Sequence, residues 1–336
     1  MSRISRIGSS SAERNSPWKP LAIFLNSPYV LPNLRTASGS FSGPRMTRAI
    51  SSRKISSLPW MLNTGWSLRL GPANRRVTTV AADDADRARL WQDRAVQQRL
   101  PSILDQPITF AHRGARAYAP ENTLAAFELG LKLGASGLES DVWLTADGEA
   151  VLDHDGVVRR SLGRTTPLNA LRRADLPAHI PTLAELYERC GTGFHLSLDL
   201  KDPGCGQVVI DITRNADPSM LERLWLCSPT WESLLPLRGQ GAKLVDSTRL
   251  SRIKEGPERR AATLAREGID AINMHHSDWT GGMAVLFHRF DRLTFGWDMQ
   301  EQHILERCLR MGLDAVYSDY PDRMVDAFTA QIGRPA

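Results

Sequence analysis

From Pro107 onward the sequence switches repeatedly between two hydrophobic rhythms, and that alternation constrains the fold more than any other feature. Short runs rich in β-branched and aromatic residues, bounded by Gly, Pro or Asp, read as strands. Between them lie stretches whose apolar residues recur at helical spacing. Ile108-Thr109-Phe110-Ala111 reads as a strand ending in His112. Asn122 or Thr123 caps a helix carrying Leu124, Phe127, Leu131 and Leu133, closed by Gly134. A second strand is expected over 138–144, a short extended piece at Val151-Leu152, and a helix from Pro181-Thr182 through Cys190. Further strands are expected at 194–201, 224–228, 243–246, 269–274, 293–297 and 315–318, with helices at 258–267, 282–289, 301–311 and 322–330. Repeated βα units with right-handed crossovers build a parallel sheet. Eight of them in about 220 residues favour a closed TIM (β/α)8 barrel over an open sheet.

The chain before this region has a different character. Residues 1–80 hold twelve Lys or Arg against one acid, Glu13, so the rest of the chain is net acidic although the whole carries +5. Fourteen serines fall in the first sixty residues, without sustained periodicity, which argues against a packed core there. We read 1–82 as a disordered leader. It could be an organellar transit peptide, an upstream stretch included by a wrong start codon, or a basic tail for nucleic acid or anionic lipid. Residues 83–106 are expected to form a lead-in with a helix over 83–99, its apolar side made by Leu90, Trp91 and Val96. The barrel is expected over 107–330. No run approaches the length of a membrane span. The four cysteines are widely separated, with no metal or redox spacing, and fit a reducing compartment. A cytoplasmic location follows, or an organellar one if the leader is a targeting signal. No nucleic-acid partner is expected for the barrel, and the sequence leaves the oligomeric state open.

Two carboxylates, Glu139 and Asp141, stand two residues apart on the expected second strand. Side chains at i and i+2 of a strand share a face, so the two repel unless a cation lies between them. Hard oxygen donors of this kind suit Mg²⁺ or Ca²⁺. His112 lies upstream and His154 downstream, and each can exchange protons near neutral pH. His112, Asp199, Asp246, Trp297 and Asp319 all fall at or near C-terminal strand ends, which form the active-site mouth of such a barrel. His195, on the same strand as Asp199 but deeper, reads as a packed barrel residue. His275 and His276 read as a surface loop within reach of the mouth. Metal, acid and base together suggest hydrolysis of a charged ester.

Nine short motifs stand in an order that resembles the glycerophosphodiester phosphodiesterases. They are His112-Arg113-Gly114, Pro120-Glu121-Asn122-Thr123, Glu139-Ser140-Asp141-Val142, Thr145-Ala146-Asp147-Gly148 and His154-Asp155, then Ile180-Pro181-Thr182-Leu183, Asp199-Leu200-Lys201, Trp297-Asp298 and Ser318-Asp319-Tyr320-Pro321. The resemblance implies a TIM barrel, one divalent cation, and hydrolysis of glycerophosphodiesters to glycerol 3-phosphate and an alcohol. It implies Glu139, Asp141 and Asp199 as metal ligands, His112 as base and His154 as acid. Arg113, Lys201 and Trp297 would hold phosphate or substrate, and Glu121 would orient the groups that do. In such enzymes the attacker can be the substrate's own glycerol hydroxyl, giving a cyclic phosphate that water then opens. The chain departs from the family pattern in having Asp199 where Glu is usual before x-Lys, and Trp297-Asp298-Met299-Gln300 where Trp-Thr-Val-Asn is usual. Asp in place of that Glu is similar to the related spider-venom phospholipases D. Lysophospholipase D or transphosphatidylase action on a lysophospholipid is therefore the alternative, and an apolar approach beside Trp279 and Phe295 would favour it. A noncatalytic binding protein is the third reading, opposed by the retention of both histidines and three carboxylates.

Overall fold

The computed structural model describes residues 98–159 and 163–333, together with two strands further upstream. In chain order the strands are β1 (Ser67–Leu70), β2 (Val77–Val80), β3 (Ile108–His112), β4 (Gly137–Leu144), β5 (Ala150–Leu152), β6 (Val157–Arg159) and β7 (Thr165–Pro167). They continue with β8 (His195–Leu200), β9 (Leu224–Ser228), β10 (Lys243–Thr248), β11 (Ala271–His275), β12 (Leu293–Trp297) and β13 (Ala315–Ser318). The helices are α1 (Leu124–Lys132), α2 (Leu183–Cys190), α3 (Cys205–Ala216), α4 (Pro257–Glu267), α5 (Gly281–His288), α6 (Gln302–Arg310) and α7 (Pro321–Gln331).

β3, β4 and β8 to β13 pair in parallel, and β3 pairs with both β13 and β4, so the sheet closes on itself. This is the expected eight-stranded barrel. Each strand sorts its side chains by the two-residue period. Phe110, Trp225, Val245, Phe295 and Tyr317 point inward and fill the barrel. Leu138, Leu196, Leu198, Leu226 and Ile272 point outward beneath the helices. Phe110 and Tyr317 stack at 4.7 Å between ring centroids, which fixes the first strand against the last.

Three of the described helices, α1, α2 and α5, start where the sequence supplies an oxygen cap. The Thr123 side chain accepts the Ala126 amide, and Thr182 forms a capping box with Glu185. Some elements were not legible. α3 was not among the expected helices: it follows Gly204 without a side-chain cap, although its buried Cys205, Val209 and Thr213 recur at helical spacing. After β9 a 3-10 helix at Trp231–Leu237 takes the place of an α-helix, with Pro236 inside it removing an amide donor. The connection after β4 carries β5, antiparallel to β4, and a small β6–β7 hairpin.

The lead-in is anchored under the barrel. The Leu100 amide donates to the Arg310 carbonyl at 2.8 Å, and the Ile103 and Leu104 amides donate to Asp314 Oδ1 at 2.7 and 2.9 Å. Upstream, β1 and β2 form an antiparallel pair with Ser67 opposite Val80 and Leu70 opposite Val77. The rest of the 1–82 leader, and the 83–99 helix with Leu90, Trp91 and Val96, lie outside the described residues apart from positions 98 and 99. No helix among the described residues is long and apolar enough to cross a membrane.

One residue expected at the mouth is elsewhere. Asp246 is fully buried and points outward, where its Oδ2 accepts from Arg260 of α4 at 2.8 Å. Its neighbours Val245 and Ser247 occupy the inward positions, so period-two alternation excludes Asp246 from the cavity.

Candidate active site

A cavity of about 440 Å³ opens at the C-terminal ends of the barrel strands. Its lining includes His112, Arg113, Glu139, Asp141, His154, Asp199, Lys201 and Trp297, eight of the nine predicted site residues. Glu121 stands just behind. Its carboxylate accepts from Arg113 Nη1 at 3.1 Å and pairs with Arg116 Nε at 2.5 Å. It therefore holds two arginines at the edge of the cavity.

The first βα loop owes its shape to local chemistry. Arg113 has φ 52° and Gly114 has φ 78°, so the chain turns sharply after β3. A methyl group on Gly114 would lie 2.7 Å from the Ala126 carbonyl oxygen, which is why only glycine fits. The Arg113 amide then donates to Glu139 Oε2 at 2.9 Å. Asn122, at φ 54°, accepts from the Ser140 hydroxyl at 2.7 Å and ties the far end of the loop to β4.

The three carboxylates share one wall. Asp141 of β4 and Asp199 of β8 stand in register on adjacent strands, and Glu139 stands beside Ser197. Glu139 is 6% exposed and Asp141 3%. Burial, followed by the charges of Asp141 and Asp199, pushes the Glu139 carboxyl up to about 7 against the pull of His112. Burial also raises Asp199, against the pull of Lys201. The Lys201 ammonium lies 2.8 Å from Asp141 Oδ1 and 3.1 Å from Asp199 Oδ2, bridging the pair. Asp141 Oδ2 is buried without a hydrogen-bond partner, although Arg113 Nε stands 3.7 Å away.

That orphaned oxygen is an observation of metal-site kind. A buried carboxylate oxygen is rarely left unsatisfied, and a hard cation would satisfy it. The same cation would lower the raised pKa of Glu139. The donor set fits Mg²⁺ or Ca²⁺ in type. Its oxygens are not gathered into one tight cluster, however. Among the described residues, the histidine or acidic set whose ligand atoms all lie within 4.8 Å of one another is His275, His276 and Asp298. In that set His275 Nε2 already meets Asp298 at 3.1 Å, and Arg307 stands 3.3 Å from His276 Nδ1. Burial, His275 and Arg307 together depress His276. With His275 Nε2 and His276 Nδ1 already engaged by Asp298 and Arg307, this set reads as a hydrogen-bonded rim.

The two histidines differ in setting. His112 Nδ1 lies 2.6 Å from Asp319 Oδ1, and its Nε2 lies 3.8 Å from Glu139 Oε2. Burial opposes its charge, but Glu139 and the Asp319 hydrogen bond outweigh burial and raise its pKa. Asp319 also accepts from Arg116 at 3.4 Å, and its amide donates to Gln300 Oε1 at 2.9 Å. His154 follows β5 on a turn where the Asp153 carboxylate accepts the Gly156 amide. The His154 side chain is 42% exposed, with Nδ1 3.0 Å from Asp155.

Sequence reasoning placed Asp319 at the mouth but gave it no role, since its partner is 207 positions away. It also omitted Arg249, Arg252 and Gln300, which line the cavity from loops with no recognisable spacing. His195 is the first residue of β8, at the opposite end from Lys201, and accepts from Trp225 Nε1 at 3.3 Å. It is a barrel-packing residue, as read. His275 does reach the mouth, where its ring meets Trp297 edge-on at 4.7 Å.

Comparison with known proteins agrees with this arrangement. Residues 112–203 match the pattern of the Glycerophosphoryl diester phosphodiesterase family. A glycerophosphodiester phosphodiesterase of Bacillus altitudinis is 26% identical over 242 residues, covering 64% of this chain and 96% of the relative. The solved glycerophosphodiester phosphodiesterase of Thermotoga maritima shares the fold, with a TM-score of 0.57 at 22% identity, over 66% of this chain and 98% of that one. So does an Oleispira antarctica phosphodiesterase in complex with the product sn-glycerol-3-phosphate, with a TM-score of 0.56 at 23% identity over 66% and 96% of the two chains. With the ordered motifs, the closed barrel and these likenesses in hand, the chain is similar to the glycerophosphoryl diester phosphodiesterase family over residues 112–203 and shares the barrel fold of these phosphodiesterases.

Proposed function

We propose that this protein hydrolyses glycerophosphodiesters to glycerol 3-phosphate and a free alcohol. The observation that carries the reading is the contact of His112 Nδ1 with Asp319 at 2.6 Å beside three cavity carboxylates. Asp319 holds the Nδ1 proton and leaves Nε2 as the basic nitrogen toward the cavity. His112 takes a proton from the attacking hydroxyl, and His154, open to solvent on the same cavity, returns one to the leaving alcohol. The roles reverse when water opens a cyclic product. Arg113 and Lys201 supply positive charge to the phosphate oxygens, and Trp297 gives the glycerol a wall.

Glu139, Asp141 and Asp199 would hold one Mg²⁺ or Ca²⁺. Bound there, the cation supplies Lewis-acid stabilisation of charge developing on phosphate. Asp199 reaches less far than a glutamate, and Lys201 bridges it to Asp141. That contact keeps the two carboxylates on one side of the cavity while substrate enters.

Lysophospholipid chemistry is less well supported. Trp279 is buried and donates to the Phe295 carbonyl, and Phe295 lies wholly inside the barrel. Neither forms the apolar approach that an acyl chain needs. Product analysis by phosphorus NMR with glycerophosphocholine, glycerophosphoinositol and a lysophospholipid, with and without chelator, tests the proposal. Glycerol 3-phosphate formed from the first two and lost on chelation is the expected result. Turnover of lysophospholipid alone would replace the reading, and turnover of nothing would leave a binding protein.

A further inference from the structure

The cavity has a far wall that the proposed reaction does not use. β10 lies four strands from β3 in either direction round the barrel, so the residues after it stand across the mouth from His112. Arg249 and Arg252 line that wall.

The two walls differ in how their cations are satisfied. On the near wall Arg113, Arg116 and Lys201 are all paired with carboxylates. On the far wall Arg252 is exposed, and among the described residues its guanidinium meets no carboxylate within 4.0 Å. Arg249 is fixed in place: Asp278 accepts from its Nε at 2.7 Å and its Nη2 at 3.3 Å, and its guanidinium carbon lies 5.6 Å from the Trp297 ring centroid. Among the described residues its Nη1 makes no hydrogen bond. Asp298 is the carboxylate on this side of the cavity, and it is occupied by His275 at 3.1 Å and Gln300 at 3.2 Å. Two guanidinium groups with spare donors, one of them rigid, match the fork geometry that phosphate and carboxylate prefer.

We propose that Arg252 and Arg249 form a second anion subsite, and that the preferred substrates are diesters whose alcohol carries a further negative group. The inference rests on the hydrolase reading for its substrate class. With the scissile phosphate at His112 and the carboxylate wall, the alcohol extends past Trp297 toward β10. An anionic group there meets Arg252, whereas a quaternary ammonium is repelled. A cavity of about 440 Å³ holds a diester of this size.

The test compares glycerophosphoinositol 4-phosphate with glycerophosphoinositol, which differ only in the distal phosphate. Dissociation constants are measured by calorimetry, and kcat/KM is measured in parallel, for the full chain and for Arg252→Glu and Arg252→Gln. Circular dichroism checks that each variant is folded. Wild type is expected to bind the phosphorylated ligand at least about tenfold more tightly than the unphosphorylated one, as a charge-assisted contact implies. The ratio should fall towards one in Arg252→Gln and invert in Arg252→Glu. Equal binding of both ligands by wild type, or an unchanged ratio in both variants, overturns the subsite. Selective binding without turnover would sink the hydrolase reading and leave the subsite standing. A deacylated cardiolipin headgroup against glycerophosphoglycerol separates a distal diester from a distal monoester as the group bound.

Discussion

A single proton is contested at the centre of the site. Glu139 is pushed up to about 7, mainly by burial, while His112 is raised by Glu139 and Asp319 against burial. Their side chains stand 3.8 Å apart, so they titrate as a pair. In the proposed mechanism the carboxylate of Asp319 sets which nitrogen of His112 acts. Asp319→Asn should therefore lower kcat more than it raises KM, by roughly 10–100-fold, the usual cost of losing a carboxylate behind a working histidine. Equal kcat in the variant would remove Asp319 from the mechanism. His112→Ala and His154→Ala should each lose roughly 10²–10⁴ in kcat/KM on glycerophosphocholine, with unchanged circular dichroism. Near-normal turnover in either would remove that histidine. Residue identities at this scale were largely legible, because each motif keeps its groups within a few positions. The Asp319 contact was not, because it joins the first barrel strand to the segment after the last, 207 residues on.

Among the elements, the strands and their order were readable and some connections were not. Inward and outward positions on β8 follow strict alternation, so Asp199 and Lys201 could be assigned to the cavity before their contacts were known. On β10 the same rule places Asp246 outside, and only the extent of the strand to Thr248 makes that visible. The β6–β7 strands are three residues each, too short for a periodic signal, and α3 carries helical spacing at Cys205, Val209 and Thr213 but no side-chain cap to mark its start. The strands' inward residues also set stability. Phe295 meets Trp225 edge-on at 5.0 Å and has no exposed surface. Phe295→Ala should cost about 3–5 kcal/mol in urea unfolding, through lost burial and an unfilled cavity. A loss under about 1 kcal/mol would mean that the barrel interior collapses to fill the gap. The first loop is equally sensitive. Gly114→Ala should reduce kcat/KM while leaving the barrel folded, since it displaces the Arg113 amide from Glu139.

For the whole molecule, acid is the condition that should unsettle the fold. His195 sits at the far end of the barrel from the cavity, and burial followed by Arg223 lowers its pKa to about 4. The folded state holds it neutral, with Nδ1 accepting from Trp225, whereas the unfolded chain protonates it near the usual 6.5. Its contribution to stability is thus complete above about pH 6.5 and is lost as the pH falls towards 4. His195→Gln, which cannot titrate, should narrow the difference in Tm between pH 7 and pH 5. An unchanged difference would place the acid sensitivity elsewhere.

The contact between His112 and Asp319 carries a consequence for synthesis on the ribosome. The proposed base comes from the first barrel strand and the carboxylate that meets it from just beyond the last, 207 residues later. A nascent chain that has completed seven strands holds every predicted metal ligand and both histidines, yet its base lacks the partner that sets its tautomer. On the proposed mechanism, interrupted translation products would thus be impaired in proton transfer. Hydrolytic competence would arrive in one step, when the final strand zips against the first.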